Sequence, residues 1–231
     1  MSQSLLDRLS ALATIFACVT IGGVVLYRGF DSRGRVVQVD VNATPRALAN
    51  WQRLEQHGAS DGPDSAAIRI IEFSDLECPY CKQFHRNVED LRSRYDSRVA
   101  VTFIHYPIKT HRFAAVAAQG AECAKRQGAF FQFVSRTFRA QDSLGLKSWA
   151  AIAREAGIAD TVAFIACQSG APAPAIAEGR RVGDSIGVKG TPTVVVNGFL
   201  FPIPPDSAQL DSLARAGIER ATSARRTEAR R

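Results

Sequence analysis

Two cysteines flank a Pro-Tyr pair, Cys78-Pro79-Tyr80-Cys81. Such a pair is either half of a tetrahedral zinc site or a dithiol that makes and breaks a disulfide. A structural zinc site needs two more ligands. The sequence has no second C-x-x-C, and His105 and His111 fall on a strand and beyond it. The context favours redox chemistry, because the pair opens a helix directly after an apolar strand. Pro79 suits the first helical position, which leaves Cys78 at the helix N-terminus. Free N–H groups and the helix dipole stabilise a thiolate there. Cys81 falls within the first turn, screened from water. Exchange requires this asymmetry: an open thiolate of lowered pKa attacks or leaves, and a buried partner resolves.

Other polar groups surround the pair. Glu72 lies six residues before Cys78, among Ile70, Ile71 and Phe73. Those neighbours argue for burial, which raises a carboxyl pKa. Asp75 and Glu77 are expected in a solvated loop, where both oppose a Cys78 thiolate. His85, one turn after Cys81, reads as a surface or hydrogen-bonded histidine. Cys18 reads as a small apolar residue.

The elements that must hold these groups follow from periodicity. Ile68–Phe73 reads as a buried strand. Phe84, Val88, Leu91 and Tyr95 recur at helical spacing after the cysteine pair. Val99–Tyr106 is a second strand, giving a strand-helix-strand unit with a parallel pair. Residues 111–186 turn helical and Ala-rich, punctuated by Gly128, Gly145, Gly157 and Gly170, with Ser148 as an N-cap. Thr193–Val196 and Phe199–Ile203 flank Asn197-Gly198, a strong hairpin signal. Asp206 caps a last helix through about Ala221, and Thr222–Arg231 is a basic tail expected to fray.

Ahead of this unit, after an N-terminal flank (1–8), Leu9–Tyr27 is 19 residues without a charge. As a helix it spans roughly 28 Å, close to a bilayer core. A signal-peptide core is shorter, at about 7–15 residues, so the run reads as an uncleaved transmembrane anchor. Residues 28–65 form a tether and lead-in. They hold a short strand at Arg35–Val41, a helix at about Pro45–His57 capped by Asn42, and turns over Gly58–Ser65. Arg28, Arg33 and Arg35 outweigh Arg8, which by the charge rule keeps the following domain inside the cell. That rule weakens before a long domain, and the sulfur chemistry argues for export.

Composition sets the outer bounds. The chain has 231 residues, 46% of them hydrophobic and 22% charged, which excludes a disordered or collagen-like protein. The net charge of +7 is spread along the chain rather than gathered on one element, so no nucleic-acid partner is expected.

Ile71–His85 (IEFSDLECPYCKQFH) and Gly190–Gly198 (GTPTVVVNG) resemble the two signature segments of DsbA-like thiol-disulfide oxidoreductases of the thioredoxin superfamily. The similarity runs over about residues 66–218. It implies an α/β thioredoxin fold over 66–221 with a helical insertion at about 108–188. The resemblance makes Pro192 a cis-proline facing the disulfide. Thr191 before it offers backbone hydrogen bonds to a client peptide, beside Pro79 and Tyr80. Glu72 becomes the buried acid that passes a proton to or from Cys81. Tyr80 stands where the most oxidising members carry His, which implies a less stabilised thiolate. A Pro-Tyr centre with Thr before the cis-proline also resembles some isomerase-type relatives, but residues 28–66 are too few for their dimerisation domain. Cys123 and Cys167 are then either two free buried thiols or, in an oxidising compartment, a structural disulfide. The implied protein is a monomeric, single-pass inner-membrane protein of a bacterium, with its catalytic domain in the periplasm. It needs no cofactor and no metal. It exchanges with exported protein thiols and disulfides, and a membrane redox partner recharges it, in the oxidising direction or, as the rival reading, in the reducing or isomerising one. A non-catalytic chaperone or copper carrier is the remaining alternative.

Overall fold

In chain order the computed structural model, which describes residues 44–201 and 203–228, contains β1 (Arg46–Ala47), a 3-10 turn at Trp51–His57, β2 (Ala59–Asp61), β3 (Ile68–Ser74), α1 (Pro79–Tyr95), β4 (Val99–His105), α2 (Ala114–Lys125), α3 (Phe130–Arg139), α4 (Trp149–Glu155), α5 (Thr161–Gln168), α6 (Pro174–Ser185), β5 (Thr193–Val196), β6 (Phe199–Phe201) and α7 (Ser207–Glu228). The strands form one sheet in the order β1-β6-β5-β3-β4-β2. β3 and β4 are parallel, with Ile68 opposite Val99, and β5 runs antiparallel to β3.

β3 is central, so both of its faces are covered. Ile68 and Ile70 pack with Phe84, Val88 and Leu91 of α1 and with Leu210 and Ala214 of α7. Ile71 and Phe73 pack on the opposite face with Leu54, Ile104, Val182 and Val195. The alternation of a strand therefore sends Glu72 and Ser74 to the side of α1. α6 lies so close over β4 that a Cβ on Gly179 would meet the His105 carbonyl oxygen at 2.4 Å.

The insertion, α2 to α6, buries Ala117, Ala121, Phe133, Phe138, Ile152 and Phe164 in a cluster that also contains Cys78 and Cys81. The helical block is thus packed directly onto the sulfur pair. Ser148 caps α4 by accepting from Ala151 N. Asn197 and Gly198 both have positive φ, 46° and 87°, which turns β5 into β6.

Three expectations are corrected. The helix at Pro45–His57 is instead a strand pairing Arg46 with Leu200, followed by the 3-10 turn. Asn50 between them is left-handed at φ 54°, which breaks a continuous helix. Gly58–Ser65 is not all turn, since Ala59–Asp61 pairs antiparallel with β4 at the sheet edge. Gly58 admits this pairing, because a Cβ there would lie 2.5 Å from the Phe103 carbonyl oxygen. The final helix does not stop near Ala221 and the tail does not fray at Thr222: α7 runs on to Glu228. Its start is reciprocally capped, with Gln209 N donating to Asp206 Oδ1 at 2.8 Å and Asp206 N to Gln209 Oε1 at 2.9 Å. The expected anchor at 9–27, its flank 1–8, Cys18, the strand at 35–41 and the Asn42 cap lie outside the described residues. Among the described residues no helix is long and apolar enough to cross a membrane.

Candidate active site

The strand-to-helix turn after β3 fixes the first sulfur. Cys78 is the N-cap of α1, with extended φ −72° and ψ 122°, and Pro79 follows at the first helical position. Its backbone N–H donates to Asp75 O at 3.1 Å. The Cys78 thiol donates to the Thr191 carbonyl oxygen at 3.3 Å. The Thr191-Pro192 bond is cis and Pro192 is buried, so the loop before β5 closes over the sulfur. This corrects the expectation of an open sulfur: Cys78 is 4% exposed, because a loop more than 100 residues away in sequence covers it.

The two sulfurs are electrostatically unequal. The hydrogen bond from Cys81 lowers the Cys78 pKa to about 6, helped by the Thr191 side chain and by the backbone N–H groups of Cys81 and Tyr80. Burial pushes the Cys81 thiol well above its ordinary value, and the neighbouring Cys78 and Glu72 add to that rise. Cys81 is fully buried and accepts a weak hydrogen bond from Asp75 N at 3.4 Å. At neutral pH one sulfur is therefore an anion and the other keeps its proton.

Beneath them lies a buried carboxyl. Glu72 is 2% exposed, and burial pushes its pKa up to about 8 against a small opposing contribution from Ser74. Ser74 also acts on Cys81, so its hydroxyl lies near both the acid and the resolving sulfur. Sequence reasoning missed Ser74, although its place two residues after Glu72 puts both on one face of the strand. Among the described residues, the buried side-chain polar atoms without a hydrogen-bond partner are Glu72 Oε1, Ser74 Oγ and Thr191 Oγ1. All three ring the sulfur pair. Buried polar groups are ordinarily paired, so orphans gathered in one place mark chemistry or hidden water.

Asp75 is not solvated, contrary to expectation, and Glu77 is half-buried. The Asp75 side chain is wholly buried. It accepts from Ile108 N and Glu77 N, each at 2.7 Å, and pairs with His111 Nδ1 at 2.8 Å. Glu77 accepts from Phe113 N. The chain after β4 folds across this loop, and its N–H groups need acceptors that the two carboxylates supply. Gln141, which carries no local signal in the sequence, ties the insertion to the motif by donating to Leu76 O at 3.1 Å and Cys78 O at 3.0 Å. Lys82 Nζ and Asp142 Oδ2 pair alongside at 3.1 Å.

His85 is hydrogen-bonded as expected, with Nε2 2.9 Å from Ser135 Oγ and 3.3 Å from Glu89 Oε1. That histidine holds Glu89 down at a pKa of about 2. Pro79 is exposed and Tyr80 is 75% exposed, so the residues between the cysteines face solvent. Cys123 and Cys167 are joined by a disulfide across the insertion, with Cα atoms 5.8 Å apart. No group of three or more His, Cys, Asp or Glu side chains converges as a metal cage among the described residues.

Comparison with known proteins places this geometry. A thioredoxin family model matches residues 54–215. A thioredoxin-like oxidoreductase from Silicibacter pomeroyi DSS-3 is 25% identical in sequence and superposes with a TM-score of 0.60, covering 76% of this chain and 99% of that one. Oxidised BdbD from Bacillus subtilis superposes with a TM-score of 0.61 at 16% identity, covering 71% and 94%, a likeness of fold. The Na(+)/H(+) antiporter NhaA 3 of Salinispora tropica is 35% identical over 141 residues, which are 59% of this chain and 21% of that protein. The chain spans roughly a fifth to a quarter of the length of the curated relatives it matches. The family match takes in the central sheet, the sulfur pair and the helical insertion alike, and the chain belongs to the thioredoxin family.

Proposed function

We propose that this protein is a thiol-disulfide oxidoreductase of DsbA-like type that oxidises exported protein clients through Cys78 and Cys81. One observation carries the reading: a helix-capping sulfur with a pKa of about 6 lies against the cis-proline loop, beside a buried partner of raised pKa. A client thiolate attacks the Cys78–Cys81 disulfide at Cys78, and Cys81 leaves with the electron pair and takes a proton. A second client thiolate then attacks the client sulfur of the mixed disulfide, releasing Cys78 as a thiolate. The client dithiol is oxidised, the enzyme disulfide is reduced, and a membrane redox partner restores it. Stabilising the Cys78 thiolate stabilises the reduced enzyme, which makes its disulfide the better oxidant. That supports the oxidising direction even though Tyr80 brings no positive charge.

In this reading Glu72 gives Cys81 its proton, Thr191 and Pro192 with Pro79 and Tyr80 receive the client, and the Cys123–Cys167 bridge is structural. Residues 9–27 anchor the domain in the inner membrane, facing the periplasm. The antiporter relatives put similar sequence within named membrane proteins, a setting that supports this location. The uncharged Tyr80 favours a second reading, a reductase or isomerase kept reduced by a membrane electron donor. Alkylation trapping in intact cells separates the two: a mostly oxidised pair supports the oxidase and a mostly reduced pair supports the rival. Cys78→Ala abolishes exchange and Cys81→Ala accumulates client mixed disulfides; full activity in Cys78→Ala rejects the scheme.

A further inference from the structure

Glu72 is buried between the sheet and α1, close enough to Cys81 to shift its thiol, and has no direct outlet to solvent. Once it has given its proton away, a buried carboxylate is costly to leave charged until reoxidation, so a route to water would let it reprotonate. The geometry points to one. A cavity of about 70 Å³ is lined by Glu72 together with His85, Glu89 and Ser135. Apart from Arg92 its remaining walls are apolar, with Val101 and Phe103 of β4 and Val134 of α3 among them. The volume is several times the ~15 Å³ that one water needs. Glu72 Oε1, unpartnered among the described residues, supplies the inner polar contact, and the imidazole, carboxylate and hydroxyl supply the outer ones.

We propose that this cavity holds water and that His85, with Ser135 and Glu89, is the outer relay station through which Glu72 exchanges its proton with solvent. The idea rests on the function proposed above and extends it. When a client thiolate attacks Cys78, Cys81 departs as a thiolate and Glu72 protonates it, through Ser74 where needed. The resulting Glu72 carboxylate takes a proton from cavity water, which takes one from the His85–Ser135 pair, which takes one from bulk water. Reoxidation runs the same protons outward. No electrons move along this route, and the sulfur exchange alone carries the redox change.

The location of each group fits the task. The His85 side chain is 14% exposed and that of Glu89 is 40% exposed, so the outer end opens to solvent. The ionised Glu89 beside His85 lets the imidazole accept a proton without leaving an unpaired charge. Arg139 also faces Glu89, at 3.6 Å. Arg92 lines the cavity too but is engaged with Asp61 at 2.6 Å, which leaves His85, whose imidazole can both give and take a proton, as the relay group. Ser135 and Val134 belong to the insertion, so the helical block builds one wall of the conduit.

His85 would act through Glu72 and is a positioning and relay residue. The test is single-turnover reduction of the disulfide form of the full chain by a peptide dithiol, followed by rapid alkylation across pH in H2O and D2O. His85→Gln keeps the bond to Ser135 but cannot shuttle a proton. Val134→Ile leaves every polar group in place and adds a methylene at the cavity wall. Both are expected to slow the step on the order of tenfold at pH 7 and to raise its solvent isotope effect, within the range that positioned acid-base groups contribute. The Cys78 pKa, read by thiolate absorbance, stays unchanged. Free imidazole is expected to restore much of the rate to His85→Gly, which lost packing alone would not allow. Unchanged rates in both His85→Gln and Val134→Ile overturn the route, as does slowing with neither an isotope effect nor imidazole rescue. A wild-type chain that exchanges no disulfides sinks the proposed function itself, whereas an active wild type with indifferent variants sinks the relay alone.

Discussion

Replacing Glu72 by Gln tests the electrostatics of the site without touching a sulfur. Glu72 is fully enclosed, and its pKa rises from 4.5 to about 8, chiefly through burial. The rise corresponds to about 5 kcal/mol of differential interaction between the neutral and ionised forms. In the unfolded chain the carboxyl ionises near its ordinary value, so the folded protein holds the extra proton between those pH values. Stability from this source is fully present below about pH 4.5 and is lost as pH rises through about 8. Of the whole, about 4 kcal/mol disappears between pH 5 and 9, at a slope approaching ~1.4 kcal/mol per pH unit. The assay is urea unfolding of the oxidised protein, in which neither Cys78 nor Cys81 titrates. That form lacks the minor thiolate contribution from Cys78 but keeps the dominant burial effect. The wild type is expected to lose stability steadily over this window, and Glu72→Gln to lack that loss, so that the difference shifts by about 4 kcal/mol in favour of the variant between pH 5 and 9. Other titrating groups cancel in the difference between the two curves. Curves that run parallel from pH 5 to 9 would refute the buried, protonated carboxyl on which the proton chemistry depends.

Thr191→Val removes the hydroxyl that favours the Cys78 thiolate and is expected to raise the Cys78 pKa by about one pH unit. Thiolate absorbance at varied pH checks this, and an unmoved titration means the hydroxyl does not serve the sulfur. Gly179→Ala drives a Cβ to within 2.4 Å of the His105 carbonyl oxygen, so α6 must lift from β4. A loss of about 2 kcal/mol in denaturant unfolding is expected, and a variant as stable as the wild type contradicts the close approach. Removing the Cys123–Cys167 bridge as the double Ser variant frees a loop with a sequence separation of 44. The chain-entropy argument gives a loss of about 4 kcal/mol, read by calorimetry, and a variant as stable as the wild type contradicts it.

The parts of this structure legible in the sequence are those set by local periodicity. Ile68–Phe73 announced a strand buried on both faces, Phe84, Val88 and Leu91 announced the inner face of α1, and Asn197-Gly198 announced the hairpin. Glu72 read as buried because its immediate neighbours are apolar. What escaped was decided at long range. Asp75 looked like a loop carboxylate until the segment at Ile108–Phe113 was seen lying across it. Cys78 looked open because nothing near it in sequence says that Thr191 will cover it. Gln141 has no local signature, since its role exists only once α3 delivers it to the motif. The edge strand at Ala59–Asp61 carries no alternation, and its pairing with β4 comes from a free ladder edge rather than from its own side chains.

Tyr80 stands almost clear of the scaffold, and this bears on how such a protein changes over generations. A new side chain at that position opens no void and orphans no interior group, so folding is disturbed by no more than about 0.5 kcal/mol. Yet the backbone N–H of the same residue leans on the Cys78 sulfur. Selection can retune the electron appetite of the pair one letter at a time there, whereas a change at Cys81, Ser74 or Pro192 must be negotiated with the whole interior.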